Sequence, residues 1–197
     1  MQRRSAWVAG VAIGLVTAQT VADELPPEKP TVQFHVVYDT DVKMIGESDS
    51  GPVRFWVAGD RVRVEFPGKP GTPVIIKTIG RESVQYEPAD TSKTAVRFPY
   101  GDFIVTDALE QGWGPLRAKG GTPRAAGAAT VAGQSCSKLE FSGLGICVTA
   151  EGIVLQLVFI DQVSRITATA TEVAVGPQDP TLFKIPNGFT VKDAQPN

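Results

Sequence analysis

From Thr31 onward, apolar and polar residues alternate with a period of two along most of the chain. Val32, Phe34, Val36 and Tyr38 alternate with Gln33, His35 and Asp39, which predicts a strand with one buried face. A second short strand is predicted over residues 42–47. A third, 53–57, follows the Ser50-Gly51-Pro52 break. Gly59-Asp60 reads as a tight turn into 61–66, where Val62, Val64 and Phe66 share one face and Arg61, Arg63 and Glu65 the other. Residues 67–73 form a Pro/Gly loop. The segments 74–79 and 83–87 predict a hairpin about Gly80-Arg81, and 95–98 closes the meander.

The period changes between Asp107 and Leu116. Asp107 is placed to cap a short helix, with Glu110 completing a capping box, and Gly112 and Gly114-Pro115 keep that helix short or broken. Residues 117–129, rich in Gly, Ala, Lys and Arg, read as a mobile surface loop. Alternation then resumes. Residues 130–141 and 145–152 form two arms about a Ser142-Gly143 break, with strands to follow over 153–160 and 163–175. Asp179-Pro180 reads as the cap and first position of a single helical turn, and 189–191 as a last short strand. The result is a mainly β protein of about ten strands with short connections. The sheet should be antiparallel, and that many strands must curl or split.

Two features outside this pattern set the compartment. The chain opens with Arg3-Arg4, an apolar run over 6–18 and small residues before Asp23, the layout of a secretory signal over 1–22. The run is too short to span a bilayer, so no membrane span is expected. A Pro-rich leader over 23–30, extended or disordered, then precedes one β domain over 31–192. Without 1–22 the chain has 17 Lys and Arg against 21 Asp and Glu, a net −4 with no basic run, which argues against nucleic-acid binding. The only cysteines, Cys136 and Cys147, lie on opposite arms of the last predicted hairpin. In an exported protein they read as one disulfide, worth about 3 kcal/mol in the chain-entropy model. A reactive thiol pair would call for closer Cys-x-x-Cys spacing at a helix N-terminus.

Catalytic chemistry has few materials here. The single histidine, His35, lies on the polar face of the first strand. That leaves no context for a Ser-His-Asp or Cys-His pairing, nor for a His-rich metal site. Asp39-Thr40-Asp41 resembles part of a calcium loop, but Lys43 and Met44 break the ligand pattern; Glu47-Ser48-Asp49 is a second acidic pair at a turn, and solvated turns explain both. No phosphate-binding glycine motif occurs. The expectation is a protein without catalytic residues, metal or cofactor; scattered carboxylates converging from distant strands are the surviving enzymatic alternative.

Three segments resemble the LolA-like superfamily of periplasmic lipoprotein carriers, and most closely its uncharacterised exported relatives. They are Phe55 to Phe66, continuing through residues 74–80 to Tyr86 and Pro88; Val131 to Lys138, with its glycine, cysteine and lysine; and Asp179 to Phe189, with Phe183, Pro186 and Gly188. The resemblance implies a strongly curved antiparallel sheet, an unclosed half-barrel with one or two short helices as a lid. It implies a periplasmic location and a monomer whose concave face holds a lipid, a lipoprotein acyl group or another apolar ligand. Phe55, Val57, Val62, Val64, Phe66, Leu155, Leu157 and Phe159 would then line the cavity, and Arg63 matches the arginine that latches the lid. Plain core for the eight apolar residues, and a bond to Glu65 or solvent for Arg63, are the competing readings. The alternative function is an envelope interaction or stress-sensing module with a filled core and no bound lipid.

Overall fold

The computed structural model describes residues 25–101 and 104–195. The signal expected over 1–22 lies outside them. Twelve strands form one sheet: β1 Phe34–Met44, β2 Glu47–Ala58, β3 Arg61–Glu65, β4 Val74–Thr78, β5 Glu82–Tyr86, β6 Thr94–Pro99, β7 Arg124–Val131, β8 Gln134–Phe141, β9 Leu144–Val148, β10 Val154–Ile160, β11 Arg165–Val175 and β12 Thr190–Asp193. Two short helices, α1 Ile104–Gln111 and α2 Gly114–Gly120, sit between β6 and β7. The strand order is β12-β6-β5-β4-β3-β2-β1-β11-β10-β9-β8-β7, and the ends do not pair, so the sheet is not closed into a barrel. The expected fold class holds, with twelve strands in place of about ten. One pairing departs from it: β12 runs parallel to β6.

Several local expectations are corrected. The strand predicted over 42–47 is the end of β1 and the start of β2, and the Ser50-Gly51-Pro52 break lies inside β2. Pro52 is opposite Asp39 of β1, whereas β2 pairs with β3 only from Arg54 onward. Proline therefore sits where its missing N–H faces an edge, the place a strand tolerates it. Asp39 and Asp41 belong to β1 rather than a turn, and Asp41 pairs with Lys43. The loop expected over 117–129 is instead the end of α2 and the edge strand β7, which pairs with β8 around a bulge near Gly127. Its Ala and Gly residues have weak strand preference, and pairing with β8 overrides it.

Helix α1 begins at Ile104, so Asp107 lies in its first turn and does not cap it, and Glu110 lies near its end. Gly112, at φ +79°, breaks the helical run before Trp113. The cap on the last helical turn is as expected: the Asp179 carboxylate accepts from Thr181 N–H at 2.8 Å and opens the 3-10 turn Pro180–Phe183. Cys136 of β8 and Cys147 of β9 form the disulfide, with Cα atoms 5.4 Å apart.

The sheet is packed on both faces, in different places. On one face Phe34, Val36 and Tyr38 join Phe55, Val57, Val62, Val64, Leu155, Leu157 and Ala168 in a core closed by Leu109 of α1, Leu116 of α2 and Trp113 between the two helices. On the opposite face a second core of Val74, Ile76, Val84, Tyr86 and Ala95 is covered by Ile185, Phe189 and Val191 of the C-terminal segment. The alternation of β3 to β5 divides these strands between the two cores.

Candidate functional site

The helix face carries the candidate site. Of the eight residues expected to line a cavity, Phe55, Val57, Val62, Val64, Leu155 and Leu157 are 0–4% exposed within the main core, and Phe66 and Phe159 are half-buried against it. The structure brings them to one face, against the helices. Tyr38, buried at the centre, donates its hydroxyl to the Val154 carbonyl. Desolvation raises its pKa well above the ordinary tyrosine value, so it remains a neutral donor.

Space remains at one edge of the lid. A cavity of about 280 Å³ opens between α1, the β2–β3 turn and the leader. Val32, Val57, Ile79 and Pro30 are its apolar lining residues and Lys29, Asp60 and Gln111 its polar ones, with the buried Glu110 of α1 beside them. Lys77 Nζ donates to Glu110 Oε1 at 2.5 Å, joining β4 to α1 across this edge. The Glu110 side chain is fully buried and its Oε2 has no hydrogen-bond partner. Burial raises the Glu110 pKa to about 7; Lys77 opposes that rise without cancelling it, and Asp107 adds to it. Beside this pair, Tyr100 donates to Asp107 Oδ1 at 2.8 Å and Gln111 Nε2 donates to the Tyr100 hydroxyl at 2.7 Å.

The leader is a strap over the lid. Trp113 Nε1 donates to Pro26 O at 3.0 Å, Gly114 N to Glu28 O at 2.9 Å, and Thr31 N to Glu151 O at 2.9 Å, while Arg117 pairs with Glu28. Gly152 lets the strap approach. A Cβ at this position would sit 2.7 Å from Lys29 O, and its φ of +86° already favours glycine. An open groove of about 600 Å³ runs between the strap at Leu25–Pro27 and β8, with Cys136 in its wall.

Arg63 lies on the other face. Its guanidinium donates to Glu65 Oε1, to the Tyr86 hydroxyl at 3.1 Å and to the Leu182 carbonyl at 3.0 Å. It ties the C-terminal 3-10 turn to the sheet and also lies over the Trp56 ring at 5.8 Å. His35 stacks on the same Trp56 at 5.0 Å, and burial lowers its pKa, so it favours the neutral form. Among the described residues no three His, Cys, Asp or Glu side chains gather into a metal-binding group, and no helix is long and apolar enough to cross a membrane.

Sequence reading missed Lys77, Glu110 and the strap. Signals existed for two of them. Lys77 falls on the same face of β4 as Ile75, in an otherwise apolar strand, and Glu110 stands between Leu109 and Trp113 on the buried side of the lid. Nothing in the spacing says that they meet.

By sequence, no family model and no curated protein matches the chain. By structure, MucB matches with a TM-score of 0.55 at 12% identity, over 81% of this chain and 59% of MucB. The chain has a LolA-like fold. The Pseudomonas aeruginosa MucA/MucB complex matches with a TM-score of 0.50 at 13% identity, over 78% of this chain and 56% of that one. A LolA superfamily protein from Nitrosomonas europaea aligns over 79% of this chain and 91% of its own, at 8% identity and a TM-score of 0.45. At such identities the likeness is one of fold. The chain spans little more than half the length of MucB.

Proposed function

We propose that this protein is a non-catalytic binding module of the cell envelope, exported to the periplasm, which works by associating with another envelope component. The observation that carries this reading is the filled helix face. Six of the eight face residues are 0–4% exposed and packed with Leu109, Trp113 and Leu116, so an acyl chain has no room without displacing the helices. The adjoining cavity of about 280 Å³ lies at the small end for ligand pockets, about 300–1,000 Å³. The one disulfide suits an oxidising compartment. MucB, which shares the fold, is seen in complex with MucA, and this supports a protein partner for the present chain. Arg63, on this reading, holds the C-terminal segment in place on the opposite face.

One observation favours a second reading, a lipid carrier that opens. The lid is joined to the sheet through an ion pair at the edge of a preformed cavity, so α1 could lift from that side and uncover the apolar face. Native mass spectrometry of the mature protein, purified from an envelope fraction without detergent, separates the two. The expected result is the mass of the protein alone, together with a stoichiometric protein partner when the fraction is cross-linked first. A lipid-sized mass lost on denaturation would overturn the proposal in favour of the carrier.

A further inference from the structure

We propose that a cleft on the face opposite the helices is a binding site for a monocarboxylate with a short apolar body, received by the guanidinium of Arg54. The cleft, about 340 Å³, opens between Arg54, Arg63 and Glu65 of the sheet and the loops that follow β3 and β5. Arg54 and Arg63 both lie over the Trp56 ring, at 5.5 and 5.8 Å, and this cation–π contact holds the Arg54 group in place. Arg63 gives its donors to Glu65, Tyr86 and Leu182. Glu65 lies opposite Arg54 in the register of β2 and β3, yet its Oε1 is taken by Arg63. Among the described residues the half-buried Arg54 has no ion-pair partner and no hydrogen-bond acceptor. Its Nε alone is buried, so the two terminal nitrogens of the fork stay accessible in the cleft lining. A guanidinium that has lost part of its water and gained no acceptor is stabilised by an anion that supplies one.

Charge and shape select the ligand. Arg63 is paired with Glu65 and Lys69 with Asp49, which leaves Arg54 and Glu87 as the charged lining residues without an ion-pair partner among the described residues. Glu87 follows β5, three strands from β2, about 14 Å of sheet at the usual strand spacing. It is too far to pair with Arg54, but with Glu65 it opposes a second negative charge in the cleft, so a single carboxylate suits the site better than a doubly charged phosphate. A carboxylate also matches the guanidinium fork with two parallel N–H···O bonds. Pro67, Pro73 and Pro88 in the lining offer apolar surface to a carbon body. The inference goes beyond the partner reading above and does not depend on it, because it concerns a small-molecule site on the face away from the lid.

The test is an NMR titration of the intact mature protein at neutral pH with hexanoate, n-hexanol, hexyl phosphate and N-acetylglutamate amide. It is followed at the Arg54 Nε–H signal and at the indole N–H signals of Trp56 and Trp113. Hexanoate should shift the Arg54 and Trp56 signals saturably and leave Trp113, in the core of the helix face, unmoved. It should bind about tenfold or more tighter than hexanol, the ratio expected for one charge-assisted pair. Hexyl phosphate, which carries nearly two charges at this pH, and the polar-bodied N-acetylglutamate amide should both bind more weakly than hexanoate. Arg54→Gln should erase the preference for hexanoate over hexanol, and Arg54→Lys, which keeps the charge and loses the fork, should reduce it. Equal binding of hexanoate and hexanol, tighter binding of hexyl phosphate, or shifts at Trp113 without Trp56 would each overturn the proposal. So would tighter binding of N-acetylglutamate amide, which would make the cleft a seat for a protein's acidic side chain, or shifts that never saturate. Should Arg54→Gln fail to fold, the wild-type ranking and Arg54→Lys still decide.

Discussion

Glu110 makes the helix face sensitive to pH. Its carboxyl is raised from 4.5 to about 7 by burial, and the folded state therefore holds its proton more tightly than the unfolded chain does. The stabilisation linked to that proton is fully present below 4.5 and is lost as pH rises through about 7. A shift of this size corresponds to an effect on the order of 3 kcal/mol, from 1.36 kcal/mol per unit. His35 acts in the opposite sense below its ordinary value, because burial lowers its pKa, so the wild-type curve alone mixes the two. Comparison with Glu110→Gln separates them. Between pH 5 and pH 8 the melting temperature of the wild type should fall relative to that of the variant, by calorimetry. A constant difference would mean that Glu110 titrates in the ordinary carboxylate range. None of this is visible in the sequence, where Glu110 reads as the second half of a capping box, a solvent-facing role. Burial decided otherwise, since α1 starts three residues before Asp107.

Among the elements, the strap over the lid depends on two glycines, Gly112, whose added Cβ would sit 2.6 Å from Glu28 O, and Gly152. Two consequences follow from placing a methyl group at Gly152: a φ of +86° that disfavours any L side chain, and a contact of 2.7 Å with Lys29 O, a backbone atom that cannot swing aside. Gly46 has a similar φ of +77° and nothing within 4 Å of its would-be Cβ, so it isolates the first effect. Gly46→Ala should cost about 1 kcal/mol, and Gly152→Ala clearly more in chemical denaturation, with faster exchange of the Thr31 amide that donates to Glu151 O. Equal losses would mean that the strap yields without resistance. The elements also divide by legibility. The hairpins about Gly59-Asp60, Gly80 and Ser142-Gly143 stand where alternation and turn residues put them, because both signals are local. Strand β7 was illegible, because its Ala and Gly residues acquire strand geometry only from β8 beside them.

For the molecule as a whole, the two cores are held by different ties. The helix face is closed by α1, α2 and the strap, and the opposite face by the C-terminal segment that Arg63 fixes through Leu182. Arg63→Met should therefore cost about 2 kcal/mol, as for hydrogen bonds to a charged group. It should also speed amide exchange at Thr190 and Ala194, which donate to Lys93 O and Arg97 O, while the Gly114 amide under the strap keeps its protection. Loosening at Gly114 with Thr190 and Ala194 unchanged would instead make Arg63 a latch of the lid. By itself the sequence determined the class of fold, the period-two faces, the position of the cysteines on two adjacent arms and the poverty of catalytic materials. Each of these depends on neighbours a few residues apart or on composition. Tertiary structure alone decided which face the helices close, that this face is filled rather than hollow, that Arg63 serves the C-terminal segment, and that Lys77 meets Glu110. These depend on the curvature of a sheet and on contacts between residues 33 to 119 positions apart, and no local pattern encodes such distances.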